Sequence, residues 1–150
     1  MKNRLSELRE VVFLILFRAD FYAPEEISGQ IAAFFENEDG FKRAEKERIA
    51  AKVLNIVNKL PEIDAQLDAI SEGWKTKRMS KTDLTVLRLA YYEINYDDNV
   101  PTGAAINEAV ELAKNYGEDS SPSFVNGILA KAARNISEQK RNEGPAQQCL

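Results

Sequence analysis

Apolar residues recur along this chain with the period of an α-helix, and no stretch sustains the alternation of a β-strand. Residues 4–22 predict a first helix, with Leu5, Leu8, Val12, Ile15, Leu16 and Ala19 on one face. Between residues 11 and 17 it is apolar on every side, a pattern that calls for burial or a partner. Pro24-Glu25-Glu26 places proline and acids at a second helix start, and "NEDG" at 37–40 is a turn signal that ends it. A third helix covers 41–59. Pro61 then starts or kinks a fourth, which carries Ile63, Leu67 and Ile70 towards Gly73. "SKTD" at 80–83 reads as a capping box, with Ser80 as N-cap and Asp83 three residues later. Leu84, Leu87, Leu89, Ala90 and Ile94 follow on a fifth helix that ends near "NYDDNVP". The sixth follows Pro101-Thr102, with Ala105, Ile106, Ala109, Val110 and Ala113 as its core stripe and Gly117 at the position of a left-handed helix end. Ser121 can cap a seventh helix, with Pro122 in its first position, running to about Ile136. The expectation is an all-α bundle of about seven helices over residues 1–136. Residues 137–150, rich in Gln, Asn and Glu, read as a flexible polar tail.

The seventh helix contains a local contradiction. Asn126-Gly127, within "SPSFVNGILAKAA" at 121–133, is a pair expected at the tip of a β-hairpin. Glycine inside a helix costs about 1 kcal/mol relative to alanine. On a helical wheel Ser123, Gly127, Lys131 and Arg134 share one stripe, so Gly127 permits close approach of another backbone there, from a neighbouring helix or from a ligand. Asn126 can donate and accept beside it. Spacing alone leaves both readings open.

Composition narrows the chemistry. The chain of 150 residues has no histidine, which removes the commonest general base and the commonest metal ligand. Its seven glycines are scattered, so no phosphate-cradling loop exists. The adjacent acids Asp97-Asp98 and Glu118-Asp119 read as solvated turn residues rather than a cation site. No enzyme activity, cofactor or metal is expected. The single cysteine, Cys149, allows no disulfide framework within the chain and fits a reducing cytosol. The apolar run at 11–17 is too short to cross a bilayer, and no cleavage site for a signal peptide follows it.

The net charge of −4 argues against binding nucleic acid through overall charge, so any such contact needs a local basic patch. One candidate is "WKTKRMSK" at 74–81, where Lys75, Lys77, Arg78 and Lys81 occur with no acid among them and Trp74 adds a flat apolar surface. Cations beside an aromatic suit single-stranded RNA, through phosphate pairing and base stacking. The plainer alternative, favoured by sequence alone, is a solvated connector with Trp74 buried as its anchor. A second candidate is the N-terminus, with Lys2, Arg4, Arg9 and Arg18, although Glu7, Glu10 and Asp20 interleave with them and a helix of mixed signs is usually a solvated face.

"INEAVELAKNYG" at 106–117 followed by "SFVNGIL" at 123–129 closely resembles the paired C-terminal motif of the NusB family. "TVLRLAYYEI" at 85–94 resembles the segment that precedes it, Pro101 ahead of "INEA" also matches, and "GWKTKRMSKTD" at 73–83 resembles the linker between the family's two halves. The resemblance is specific over 73–133 and looser before, where "REVVFLILFRAD" at 9–20 is similar to the family's first helix. It implies a single compact all-helical fold of two small subdomains. It implies a cytoplasmic RNA-binding transcription antitermination factor that pairs with NusE, a protein of the small ribosomal subunit. The pair binds the boxA element of nascent ribosomal RNA beside RNA polymerase and assists ribosomal RNA maturation. Arg9 then falls at the end of the family's arginine-rich segment, and Phe17 at an aromatic of the first helix that approaches RNA. Phe124, Asn126 and Gly127 match the "FVNG" motif, with Phe124 as a stacking candidate. Asp83, Glu93 and Ser120 are implied as the NusE-facing residues. The arginine-rich start is reduced here, since Leu5, Ser6 and Glu7 stand where several relatives carry arginines. The alternative is a helical protein-interaction module of the same fold, docking NusE or a second copy of itself through the first helix.

Overall fold

Helix ends in this protein are set by local capping, and the helices follow from it. In the computed structural model, which describes residues 3–148 and side chains as far as 142, the helices are α1 (Arg4–Ala19), α2 (Ile27–Phe35), α3 (Arg43–Asn58), α4 (Leu60–Ile70), α5 (Lys81–Tyr96), α6 (Thr102–Tyr116) and α7 (Ser121–Gln148). Short 3-10 turns, Pro24–Glu26 and Thr76–Arg78, precede α2 and α5. No strand occurs among the described residues. Asn3 caps α1 by accepting from the Ser6 N–H at 2.8 Å. Ser80 caps α5 by accepting from the Asp83 N–H at 3.1 Å, as its sequence signature requires. Cys149 lies outside the described residues.

The chain divides after Glu62 into two units. In the first, α1 packs on α2 and α3. Leu8, Val11, Val12, Phe13, Ile15 and Leu16 of α1 are buried, as are Ile27, Ile31 and Phe35 of α2 and Ile49, Val53 and Ile56 of α3. Most of the all-round apolar middle of α1 is thus covered, with Leu14 and Phe17 left half-buried.

In the second unit α5 is enclosed, with α6 and α7 packed on it and on each other. Leu84, Val86, Leu87, Leu89, Ala90, Tyr91, Tyr92 and Ile94 are all buried. Ala105, Ala109 and Ala113 line the buried side of α6, where small side chains allow close approach. Val125, Ile128, Leu129, Ala132 and Ile136 form the buried stripe of α7. Burial pushes the Tyr91 phenol above its ordinary pKa. Arg88 of α5 grips Asp64 of α4 with two parallel bonds, Nε to Oδ1 at 2.9 Å and Nη2 to Oδ2 at 2.7 Å. This fork is the strongest geometry available to an arginine–carboxylate pair.

Three local expectations change. Gly117 is extended (φ −97°, ψ −167°) rather than left-handed. Its lack of a side chain is still required, because a Cβ would meet Ser121 Oγ at 2.6 Å and the Ala113 carbonyl oxygen at 2.8 Å. Ser121 is buried and its Oγ accepts from the Glu118 N–H at 3.0 Å, so it closes the preceding turn instead of capping α7. Helix α7 continues past Ile136, where Ser137-Glu138-Gln139-Lys140-Arg141 contains no residue that breaks a helix, and its range to Gln148 includes Gly144-Pro145.

Arg88→Ala is expected to lower the unfolding free energy by about 2 kcal/mol, because it strands a part-buried carboxylate. In a chain of this size the melting temperature should fall by roughly 4–8 °C, read by circular dichroism. Arg43→Ala, which removes an exposed pair with Glu47, should change stability by less than about 0.5 kcal/mol.

Candidate nucleic-acid interface

In the first unit, the cations expected to meet RNA are partly occupied. The Arg4 guanidinium donates to Glu45 through Nε at 2.8 Å and Nη2 at 2.6 Å. It also donates to Glu7 Oε2 at 2.8 Å and to the Gly40 carbonyl at 2.8 Å, and lies 5.1 Å from the centre of the Phe41 ring. Arg4 therefore fastens the start of α1 to the loop before α3, and Glu7 and Glu45 compete with any phosphate for its donors. Its bonds to Glu45 hold the Glu45 carboxyl down at a pKa of about 2, helped by the Lys42 N–H bonded to the same carboxylate. An open hollow of about 460 Å³ lies beside this cluster, lined by Arg4, Asp39, Phe41, Lys42 and Glu45, and the Arg4 and Glu45 charges at its edge are paired with each other. Arg9 is half-buried on α1, and Lys2 lies outside the described residues.

Phe17 of α1 is half-buried between Phe13 and Phe21, the latter in the turn just past the end of the helix. Its ring centre lies 6.4 Å from Phe13 and 6.0 Å from Phe21, and Phe21 is exposed. Phe21 was missed by the sequence reading, although the spacing Phe13, Phe17, Phe21 marks one helical stripe.

In the second unit, the segment after α4 is pinned from beneath. Gly73 takes φ +77°, the left-handed conformation that glycine adopts without strain, and turns the chain. The Trp74 N–H donates to the Ser71 carbonyl at 3.1 Å, and Asp68 Oδ1 accepts from the Thr76 N–H at 2.7 Å. Lys75 Nζ reaches the Asp68 carbonyl at 3.0 Å. Thr76 and Met79 are buried, whereas Trp74 is 49 % exposed. The anchors of this connector are thus Thr76 and Met79, and the expectation of a buried Trp74 is overturned. Lys75, Lys77 and Arg78 are exposed.

The same unit brings α7 to this segment. The rings of Trp74 and Phe124 meet edge to face, with centres 6.5 Å apart and planes at 74°. Phe124 is half-buried at the flank of the α7 core stripe, while Asn126 and Gly127 are exposed. A Cβ on Gly127 would meet nothing within 4 Å. Packing against another helix of this chain therefore does not explain the glycine, and Asn126 is not a buried, satisfied amide. Lys131, further along the same face, pairs with Glu72 at 3.0 Å.

Of the residues implied to face NusE, Ser120 is exposed in the loop before α7. Asp83 is half-buried in the first turn of α5, and its Oδ1 is buried with no hydrogen-bond partner. Glu93 is only 1 % exposed, since α5 is enclosed on nearly every side, so it belongs to the interior and not to a docking surface. No group of acids and cysteine suited to a metal occurs among the described residues, and no described helix is long and apolar enough to cross a membrane.

A helical scaffold that presents cations and open aromatic rings on its outer faces has the construction of a nucleic-acid-binding protein. The chain belongs to the NusB family, whose model matches residues 6–134. It is 49% identical over 125 residues to the transcription antitermination protein NusB of Lachnoclostridium phytofermentans, covering 83% of this chain and 95% of that protein. The NusB of Agathobacter rectalis is 46% identical over 128 residues, covering 85% and 98% of the two chains. A solved structure of T. maritima NusB superposes with a TM-score of 0.78 at 30% identity, covering 95% of this chain and 99% of that one. The fold also matches a crystal structure of the antitermination factors NusB and NusE with double-stranded RNA, with a TM-score of 0.75 at 23% identity and coverage of 90% and 99%.

Glu45→Gln tests the Arg4 cluster. The folded pKa of Glu45 is depressed from 4.5 to about 2, so its stabilising contribution is complete above pH 4.5 and is lost as the pH falls towards 2. The melting temperature of the parent protein should fall more steeply across that window than that of Glu45→Gln, measured by thermal unfolding at successive pH values.

Proposed function

We propose that this chain is a transcription antitermination factor that binds the boxA element of nascent ribosomal RNA together with NusE, and so supports transcription and maturation of ribosomal RNA. It acts in the cytoplasm by binding rather than catalysis, and meets RNA polymerase through the assembled complex. The observation that carries the RNA-binding assignment is the outward placement of the "FVNG" stretch: Phe124 flanks the core against Trp74, and Asn126 and Gly127 stand in the open. Lys75, Lys77 and Arg78 supply phosphate-pairing charge in the same unit, and Arg9 and Phe17 are the candidates on α1. Asp83 and Ser120 are the candidates for NusE. Asp83 is half-buried at the start of α5 and Ser120 is exposed in the loop before α7, which supports both as side chains a partner could reach.

A second reading, a module of the same fold that chiefly docks NusE with weakened RNA binding, draws support from the engagement of Arg4 with Glu7 and Glu45. Fluorescence anisotropy of a boxA-type RNA, with and without NusE and across a salt series, separates the two. Saturable, sequence-selective binding that tightens with NusE supports antitermination, and its salt slope counts the phosphates neutralised. Failure to bind even with NusE present would leave the module reading.

Phe124→Ala is expected to weaken RNA binding of the NusE complex by roughly 5- to 100-fold, the range for loss of one stacked base. Arg9→Ala should weaken it less and lower the salt slope by about one contact. Gly127→Ala separates fold from function. It should stabilise the isolated protein by about 1 kcal/mol, because the helix gains propensity and the new methyl meets nothing. The same substitution should weaken the RNA complex if RNA backbone approaches at Gly127. Stabilisation with unchanged RNA affinity would remove Gly127 from the interface.

A further inference from the structure

The sequence pattern offers Trp74 either as a flat surface beside cations or as a buried anchor, and its placement excludes the anchor. Trp74 is the chain's one tryptophan. It is 49 % exposed in a connector whose neighbours Thr76 and Met79 are buried. Burying a tryptophan ring is among the larger apolar gains open to a fold, so a half-open tryptophan on a pinned segment leaves much of that gain unused. The segment is held on both sides of the ring, by left-handed Gly73 before it and by the Asp68 bonds to Lys75 and Thr76 after it. The ring is therefore presented on a constrained backbone. Its edge-to-face pairing with Phe124 leaves ring surface uncovered beside the partner ring.

We propose that Trp74 is a base-stacking residue, and that Trp74 and Phe124 together form a two-ring platform for a nucleotide of single-stranded RNA. This deepens the antitermination reading and rests on it. Charge favours RNA over an apolar protein segment as the occupant. Lys75, Lys77 and Arg78 follow Trp74 directly and are exposed, and no acid lies between residues 74 and 81. Stacked bases with flanking cations are how single strands are held without base pairing. The nearby acid Glu72 is paired with Lys131, which reduces its repulsion of phosphate.

Because the chain has one tryptophan, its emission reports on the platform. The complex of this protein with NusE is titrated with a boxA-type single-stranded RNA while RNA anisotropy and tryptophan emission are recorded together. The Trp74→Phe complex supplies the emission background from NusE. The expected result is quenching of Trp74 emission with the same midpoint as the anisotropy rise. Trp74→Ala should weaken RNA binding by roughly 5- to 100-fold, and Trp74→Phe by less than about 5-fold, because a smaller ring still stacks. Far-ultraviolet circular dichroism checks that each variant keeps its helices. An anisotropy rise with unchanged Trp74 emission and unaltered affinity in Trp74→Ala would overturn the platform while leaving RNA binding intact. A full emission change on adding NusE alone, with none on adding RNA, would also overturn it, since the ring would then be covered by protein. Absence of any anisotropy rise in the parent complex would overturn the RNA-binding reading itself, and the platform with it.

Discussion

The near-complete enclosure of α5 is the constraint on which the second unit depends. A helix buried on almost every side must be covered by its neighbours, so α6 and α7 are drawn against it and against each other. Small residues on α6 permit the approach, and the stripe from Val125 to Ile136 orients α7. Once that stripe faces inward, helical geometry leaves Asn126, Gly127 and Arg134 on the outside and Phe124 at the border. The Asp64–Arg88 fork ties the middle of α4 to α5, and α4 leads through Gly73 to Trp74. The exposed aromatic pair is thus a consequence of how the interior is packed.

Charge is distributed to the same effect. The chain is acidic overall, and many of its cations are paired with acids. Arg4 illustrates the cost of reading an arginine from its type alone. Its fork on Glu45, its bond to Gly40 and its place over Phe41 make it a structural tie. Lys75, Lys77 and Arg78 are exposed beside the half-open ring of Trp74. Local concentration of charge, not net charge, allows an acidic protein to hold a polyanion. Such binding is strongly salt-dependent and draws its further strength from stacking.

Helix existence and much of the capping were legible from sequence because both are set by neighbours in the chain. Ser80 bonds the Asp83 N–H as its spacing requires, and the periodic apolar positions expected on α5 are all buried, whereas Leu5 of the α1 stripe is exposed and Ile106 and Val110 of the α6 stripe are half-buried. The family motifs were legible for the same reason, as ordered local strings. Gly117 shows the limit: its position was read correctly, but the close approach of Ser121, rather than a left-handed backbone, makes glycine necessary.

The sequence by itself determined that the chain is helical, where its helices begin, and which family it resembles, since periodicity, caps and motifs are properties of adjacent residues. The tertiary structure alone decided which of the marked side chains face outward. Arg4 meets Glu45 across 41 positions, Trp74 of the connector meets Phe124 of α7, and Glu93 is buried. The local pattern marks the apolar stripe that will be buried, but the exposure of a polar or border residue depends on which distant element packs against it.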